Sequence, residues 1–334
     1  MKIDIDDFKI QLLVITVLLF STLLLRDVYI THLIILCMIY SAVATNWNIV
    51  SGYTGVMHIA QQPFFVAGGY ISGILTVKLG FPSIIGILAA ACIALLFSIA
   101  IGAISLRVKG IYLLLITLAV RLIMLSFILY FIEWTNGDTG ILLPPIEVLG
   151  LKINQFNAIP SFVFAYLLMV ASLILVKVIV DSKLGLAFIS LRDSEVYAIS
   201  RGINPYRTKL TAFVLSSWLT GICGAFYGHY LGTIGPWDLG WSLLVTLLAS
   251  MVLGGLGTLF GPVLGSFVLV FLNEYFRPLQ LLRPSIYGLL LISTLILLPN
   301  GLISIFEKLR TRTHDNLLKI KGFAVKVSKN EKNG

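Results

Sequence analysis

Between Gly52 and Pro63 the chain reads GYTGVMHIAQQP, which sets His58, Gln61 and Gln62 among two glycines and a proline. In one reading this is a loop whose polar side chains meet water. In the other it is a broken membrane segment whose amides and helix ends hydrogen-bond a zwitterion, since irregular backbone at membrane depth survives only where protein or a wet cavity satisfies it. Arg121 lies near the middle of the apolar run 111–132. An intramembrane charge costs roughly 2.5–3.5 kcal/mol on insertion scales, so it must face the interior, a cavity or a partner. Its guanidinium can hold a carboxylate or pair structurally. Gly254 to Gly265 holds five glycines, among them Gly254, Gly255, Gly257 and Gly261. Small residues there allow close helix packing, or form a second broken segment facing Gly52 and Gly55. From Lys183 to Lys209 five basic residues surround Asp193 and Glu195 between two apolar runs.

Catalysis finds little support in these residues. There is no G-x-x-x-x-G-K-[ST]; GGLGTLFGP lacks the Lys and Ser/Thr that hold phosphate and Mg²⁺. Four scattered histidines show no metal-ligand spacing with acids and form no catalytic set. Cys37, Cys92 and Cys223 all fall in apolar segments and read as small packing residues. The expectation is no enzyme, no metal and no bound cofactor.

The elements that must position these groups are membrane spans. Of 334 residues, 58% are hydrophobic and 12% charged, with mean hydropathy +0.99, too little polar surface to cover a globule in water. Apolar segments fall at 10–26, 28–50, 63–79, 82–106, 111–132, 160–180, 210–232, 242–256, 260–276 and 286–306. Several are short, so the fold expected is an all-α polytopic bundle of eight to ten spans. Ten spans with the N-terminus inside put seventeen Lys and Arg in the cytoplasm against five outside. Both termini are then cytoplasmic, 133–159 is an external loop rich in turn residues, and 181–209 faces the cytoplasm. Residues 1–309 form the membrane domain and 310–334 a basic tail. The net charge of +9 follows topology rather than nucleic acid.

Within 181–209 the local signals describe a helix of about two turns. Asp193 or Ser194 can cap its start, Glu195 suits the positive end of the helix dipole, and Gly202 can take the left-handed turn that ends it. Asn204 and Pro205 read as cap and first residue of the next span. Val196, Ile199 and Ile203 recur at helical spacing as an apolar stripe. Such a helix lies on lipid or docks a cytoplasmic partner.

Three ordered blocks carry a resemblance covering residues 35–305. RDSEVYAISRGINPYRTKLTAFVLSSWLTGICGAFYGHYLG, NIVSGYTGVMHIAQQPFFVAGGY and MVLGGLGTLFGPVLGSFVLVFLNEYF resemble the branched-chain amino acid ABC transporter permease family of LivM type. The resemblance implies a permease subunit of a prokaryotic ATP-driven importer in the cell membrane. It implies ATP and Mg²⁺ on separate cytoplasmic ATPase subunits, a second and unlike permease chain, and an extracytoplasmic solute-binding protein. The 181–209 segment becomes the coupling loop, with Arg192, Asp193 and Glu195 as polar contacts and Val196, Ile199 and Ile203 as anchors, closed by Gly202 and Asn204. Leu186 and Phe188 stand near a position where the family often has Arg, which suggests a matching apolar patch on the ATPase. Small family residues are replaced at His58, Gln62 and Pro63, and Arg121 stands where an acid is common. These departures leave the cargo open among branched-chain or other small amino acids and solutes such as urea. A self-contained secondary transporter is the other class, disfavoured because the fifteen acids fall in termini, loops and span ends.

Overall fold

The computed structural model describes residues 5–22, 27–148 and 150–277, with 286, 288–289, 292–293, 296 and 301–304 beyond them. The basic tail 310–334 and most of the tenth expected span, 286–306, lie outside the described residues.

The helices follow the apolar runs. They are α1 (Ile5–Thr22), α2 (Val28–Asn48), α3 (Gln61–Gly73), α4 (Ser83–Ser105), α5 (Ile111–Tyr130), the single turn α6 (Ile132–Thr135) and α7 (Ala158–Asp181). Then come α8 (Lys183–Asp193), α9 (Glu195–Ser200), α10 (Pro205–Leu231), α11 (Trp241–Gly254) and α12 (Gly261–Tyr275). Wider π-turns extend α2 through Tyr53 and α3 through Lys78. Among the described residues five helices are long and apolar enough to cross a membrane: α2 with its π-turn, α4, α5, α7 and α10. Shorter apolar helices are Phe8–Thr22 within α1, α11 of 14 residues and α12 of 15.

The core sits where α2, α3 and α10 meet, with Trp47, Phe64, Phe65, Phe213 and Phe226 fully buried. Gly68 and Gly224 let the backbones of α3 and α10 touch, and Gly221 lets α4 close on α10; a Cβ at Gly224 would run into the Phe65 carbonyl oxygen. Helices α4, α7, α11 and α12 surround this centre. Helix α1 rests on α7 through a 2.6 Å hydrogen bond between Thr16 and Tyr166 and the ring of Phe20 against Phe162. Helix α5 is peripheral, burying only the stripe Leu113, Thr117, Arg121, Met124 and Ile128.

Four findings amend the sequence reading. The 133–159 loop is more ordered than its turn residues imply: strands β1 (Ile141–Leu142), β2 (Ile146–Val148) and β3 (Leu151–Ile153) follow α6, β2 pairs with β3, and β1 pairs with β4 (Thr233–Ile234) after α10. The 181–209 segment holds two helices, α8 and α9, instead of one. Helix α8 mixes apolar and charged residues, and Ser182 caps it by accepting from the Leu184 N–H at 3.1 Å. By sequence position His229 and Asp238, near the outer end of the 210–232 span, read as rim residues rather than ligands, yet both are buried: His229 bonds Ser72 at 2.8 Å and the Pro144 carbonyl at 2.7 Å, and Asp238 accepts from Tyr227 at 3.1 Å. Cys37 and Cys223 are buried as expected, but Cys92 faces outward on α4.

Candidate functional site

The charged loop is built on hard stops. Ser194 is extended and accepts from the Tyr197 N–H at 3.3 Å, starting α9. Gly202 ends the helical stretch with φ +81°, and Asn204 accepts from the Arg207 N–H at 3.1 Å to start α10 with Pro205 in its first turn. Asp193 closes α8 rather than capping α9, and it pairs with Arg192 at 3.3 Å.

Glu195 lies between two ammonium groups, Lys109 at 2.8 Å and Lys209 at 3.2 Å. The hydrogen bond from Lys109, aided by Lys209, holds its carboxyl below the ordinary glutamate range. The pair ties α9 to the α4–α5 turn and to α10. An open cleft of about 330 Å³ borders this tie, lined by Arg107, Lys109, Glu195, Pro205, Tyr206 and Lys209. With its acidic residue held inward, α9 turns Val196 and Ile199 outward, 80% and 54% exposed, with Tyr197 beside them. Ala198 is the residue it buries, and Ile203 is half-buried. Of the apolar pair in α8, Leu186 is exposed but Phe188 is packed in the core, so Phe188 is no surface for a partner.

Arg192 reaches from α8, partly exposed, to the end of α2. Its guanidinium donates to the Gly52 carbonyl at 3.2 Å. There the π-turn of α2 ends and residues 54–60 run without regular helix into α3. The turn between α11 and α12 meets the same spot. Asn48 accepts from the Gly257 N–H at 2.9 Å and donates to the Thr258 carbonyl at 2.7 Å. Gly257 has φ +72°, and a Cβ on it would lie 2.6 Å from an Arg192 nitrogen. Gly255 also has positive φ, at +121°, and a Cβ on Gly55 would lie 3.0 Å from Arg192 Cγ. Gly254 and Gly261 bring the facing ends of α11 and α12 into backbone contact. The two glycine-rich stretches therefore touch, at the end of the bundle that carries α8 and α9.

The four polar residues singled out on the sequence all become buried and do not form one cluster. Gln61 hydrogen-bonds Thr220 and accepts from Ser216 at 3.0 Å, joining α3 to α10. Gln62 donates to the carbonyls of Asp238 at 2.8 Å and Gly240 at 2.9 Å, and accepts from Arg121 at 3.2 Å. Arg121, 4% exposed, also donates to the Leu239 carbonyl at 2.8 Å and lies 4.4 Å over the ring of Trp241. Its charge is met by carbonyl oxygens and a π-face, a structural pairing of α5, α3 and the turn before α11. His58 stands apart, packed between Trp47 and Phe213 with neither ring nitrogen hydrogen-bonded.

The sequence reading missed Asn48 and the Lys109–Glu195–Lys209 tie. Asn48 sat inside an apparent span as one polar residue. Lys109 and Glu195 are 86 residues apart, and no local pattern joins them.

Residues 29–299 match the family described as branched-chain amino acid transport system, permease component. The chain belongs to that family. The permease is 29% identical to the high-affinity branched-chain amino acid transport system permease protein LivM of Escherichia coli K12, over 80% of this chain and 68% of that one. The LivM protein of Salmonella typhimurium is 28% identical over the same shares. LivH of E. coli K12 is 23% identical over 69% of this chain and 79% of its own. No solved structure matches the permease. With its family and its long apolar helices, it is a multi-pass membrane protein.

Proposed function

We propose that this permease is one membrane-spanning subunit of an ATP-driven importer of branched-chain or related small amino acids, and that α9 docks a separate ATPase on the cytoplasmic side. The observation that carries the docking is the pairing of an exposed apolar face with a fixed base: Val196 and Ile199 point outward while Glu195, Ser194 and Asn204 fix the helix beneath them. A helix that merely lies on lipid needs no such tie; one that receives force does. ATP and Mg²⁺ then bind the partner, whose closure moves α8 and α9.

The cargo class comes from the relatives' names, since both LivM and LivH proteins are described as branched-chain amino acid permeases. Two named chains also support a pore of two unlike subunits. The higher identity to LivM makes a LivH-like chain the proposed partner. A solute-binding protein would deliver cargo at the opposite end, where α6, the β2–β3 hairpin and the β1–β4 pair lie. Of the four polar candidates for the pathway, Gln61, Gln62 and Arg121 are already engaged. His58 has both nitrogens free to bond a passing solute.

The test is co-purification in mild detergent. Replacing Val196 and Ile199 together by Asp should leave the permease in the membrane and remove the ATPase from the purified complex. An ATPase retained at wild-type stoichiometry would refute docking through α9.

A further inference from the structure

We propose that Arg192 is a positioning residue that carries movement of the docking loop into the two glycine-rich turns, 52–60 and 255–260, and is not itself a contact for the ATPase. This rests on the docking role proposed for α9.

Arg192 lies in the last turn of α8, two residues before the Ser194 cap of α9. Along the chain, a shift of α9 passes through it or through α10. Its side chain is 38% exposed and pairs with the exposed Asp193, while one guanidinium nitrogen reaches inward to donate to the Gly52 carbonyl at 3.2 Å. The Gly52 carbonyl belongs to the wider π-turn that ends α2. Helices kink at such turns. Gly257 packs against the same guanidinium, and Asn48 clamps the Gly257–Thr258 backbone by two hydrogen bonds, 2.9 and 2.7 Å. One cation thus joins three elements that are otherwise separate in the chain: the α8–α9 corner, the end of α2 and the α11–α12 turn. The glycines make this possible, because a Cβ at Gly52 or Gly257 would occupy the junction. A planar fork with several fixed donors suits a site where one group must grip a carbonyl and pack against backbone at once. Moving α8 and α9 as a unit then moves the end of α2, a core helix, and the facing ends of α11 and α12, which pack against α2.

The experiment uses the whole complex with its ATPase, in liposomes. Three forms are compared: Arg192→Ala, Arg192→Lys, and the Val196→Asp, Ile199→Asp pair. With Arg192→Ala the ATPase should still co-purify and still hydrolyse ATP, while solute moved per ATP falls about tenfold, the loss of one charge-assisted hydrogen bond. Arg192→Lys should restore part of that ratio, because it keeps a cationic donor without the fork. An unchanged ratio in Arg192→Ala would overturn the junction, as would loss of ATPase binding, which would make Arg192 a docking contact. The Val196 and Ile199 pair tests docking separately: an ATPase that stays bound there sinks the docking role without bearing on these ratios.

Should Arg192→Ala fail to assemble, labels at Ser200 and Leu256 test the same idea with Arg192 in place, on a background in which exposed Cys92 is Ser. Their separation should stay constant when ATP closes the ATPase pair. A change in that distance would show that the loop slides past the α11–α12 turn, and would overturn the proposal.

Discussion

Glu195 shows how one side chain can present its neighbours by facing inward itself. Its carboxyl is spent on Lys109 and Lys209, and that leaves Val196 and Ile199 presented. The pH dependence follows from sign. A carboxyl held below its ordinary value contributes fully at and above the unfolded value, roughly 4.3, and loses that contribution only as pH falls through its lower folded value. A spin label at exposed Ile199 should therefore report a fixed loop from neutral pH down past the ordinary glutamate range, and a mobile one below it. Glu195→Gln should give a mobile loop at every pH. A Gln variant as rigid as wild type would mean that the two lysines do not hold the loop. High salt should soften the effect, since Lys109 is well exposed.

At the scale of elements, glycine has two separate jobs here, and substitution tells them apart. Gly202 has φ +81° with open space around it, so Gly202→Ala carries backbone strain alone, about 1 kcal/mol. Gly257 has φ +72° with Arg192 where a Cβ would go, so Gly257→Ala adds a clash to the same strain. Thermal unfolding in detergent should show a small loss for Gly202→Ala and at least twice that for Gly257→Ala; equal losses would deny the crowding. The first kind of glycine was legible in the sequence. Ser194, Gly202, Asn204 and Pro205 follow local capping rules, and the structure uses each as the sequence implies. The second kind was not. Nothing local says that Gly257 packs on Arg192 or that Asn48 grips Thr258, because these partners meet only after α2, α8 and the α11–α12 turn converge. Phe188 was misplaced for the same reason: its helix was not foreseen, so its face could not be.

For the molecule as a whole, the spans were legible because each needs one long apolar run, and nine of the ten expected runs coincide with described helices. What the sequence withheld is which helices form the centre. Helix α5 is as apolar as α7, yet it attaches by a single stripe with Arg121 in the middle. Two effects compete in Arg121→Leu. Removing the charge should ease insertion by about 3 kcal/mol. Leaving the Leu239 and Gln62 oxygens without their donor should weaken docking of α5 by about 2 kcal/mol. The expected variant inserts well but unfolds earlier in denaturing detergent, followed by the fluorescence of the five tryptophans, of which Trp241 loses its stacked cation. Unfolding at the wild-type midpoint would remove Arg121 from the architecture. The shortness of α11 and α12 has a separate consequence. At 1.5 Å per residue they reach only about 21–23 Å, well under the roughly 30 Å of a bilayer's hydrocarbon layer. Lipid around this hairpin must thin or dip to meet it. Acyl-chain length thus becomes a load on the same turn that Arg192 holds, and the host membrane's thickness enters as a silent determinant of how freely that turn can swing.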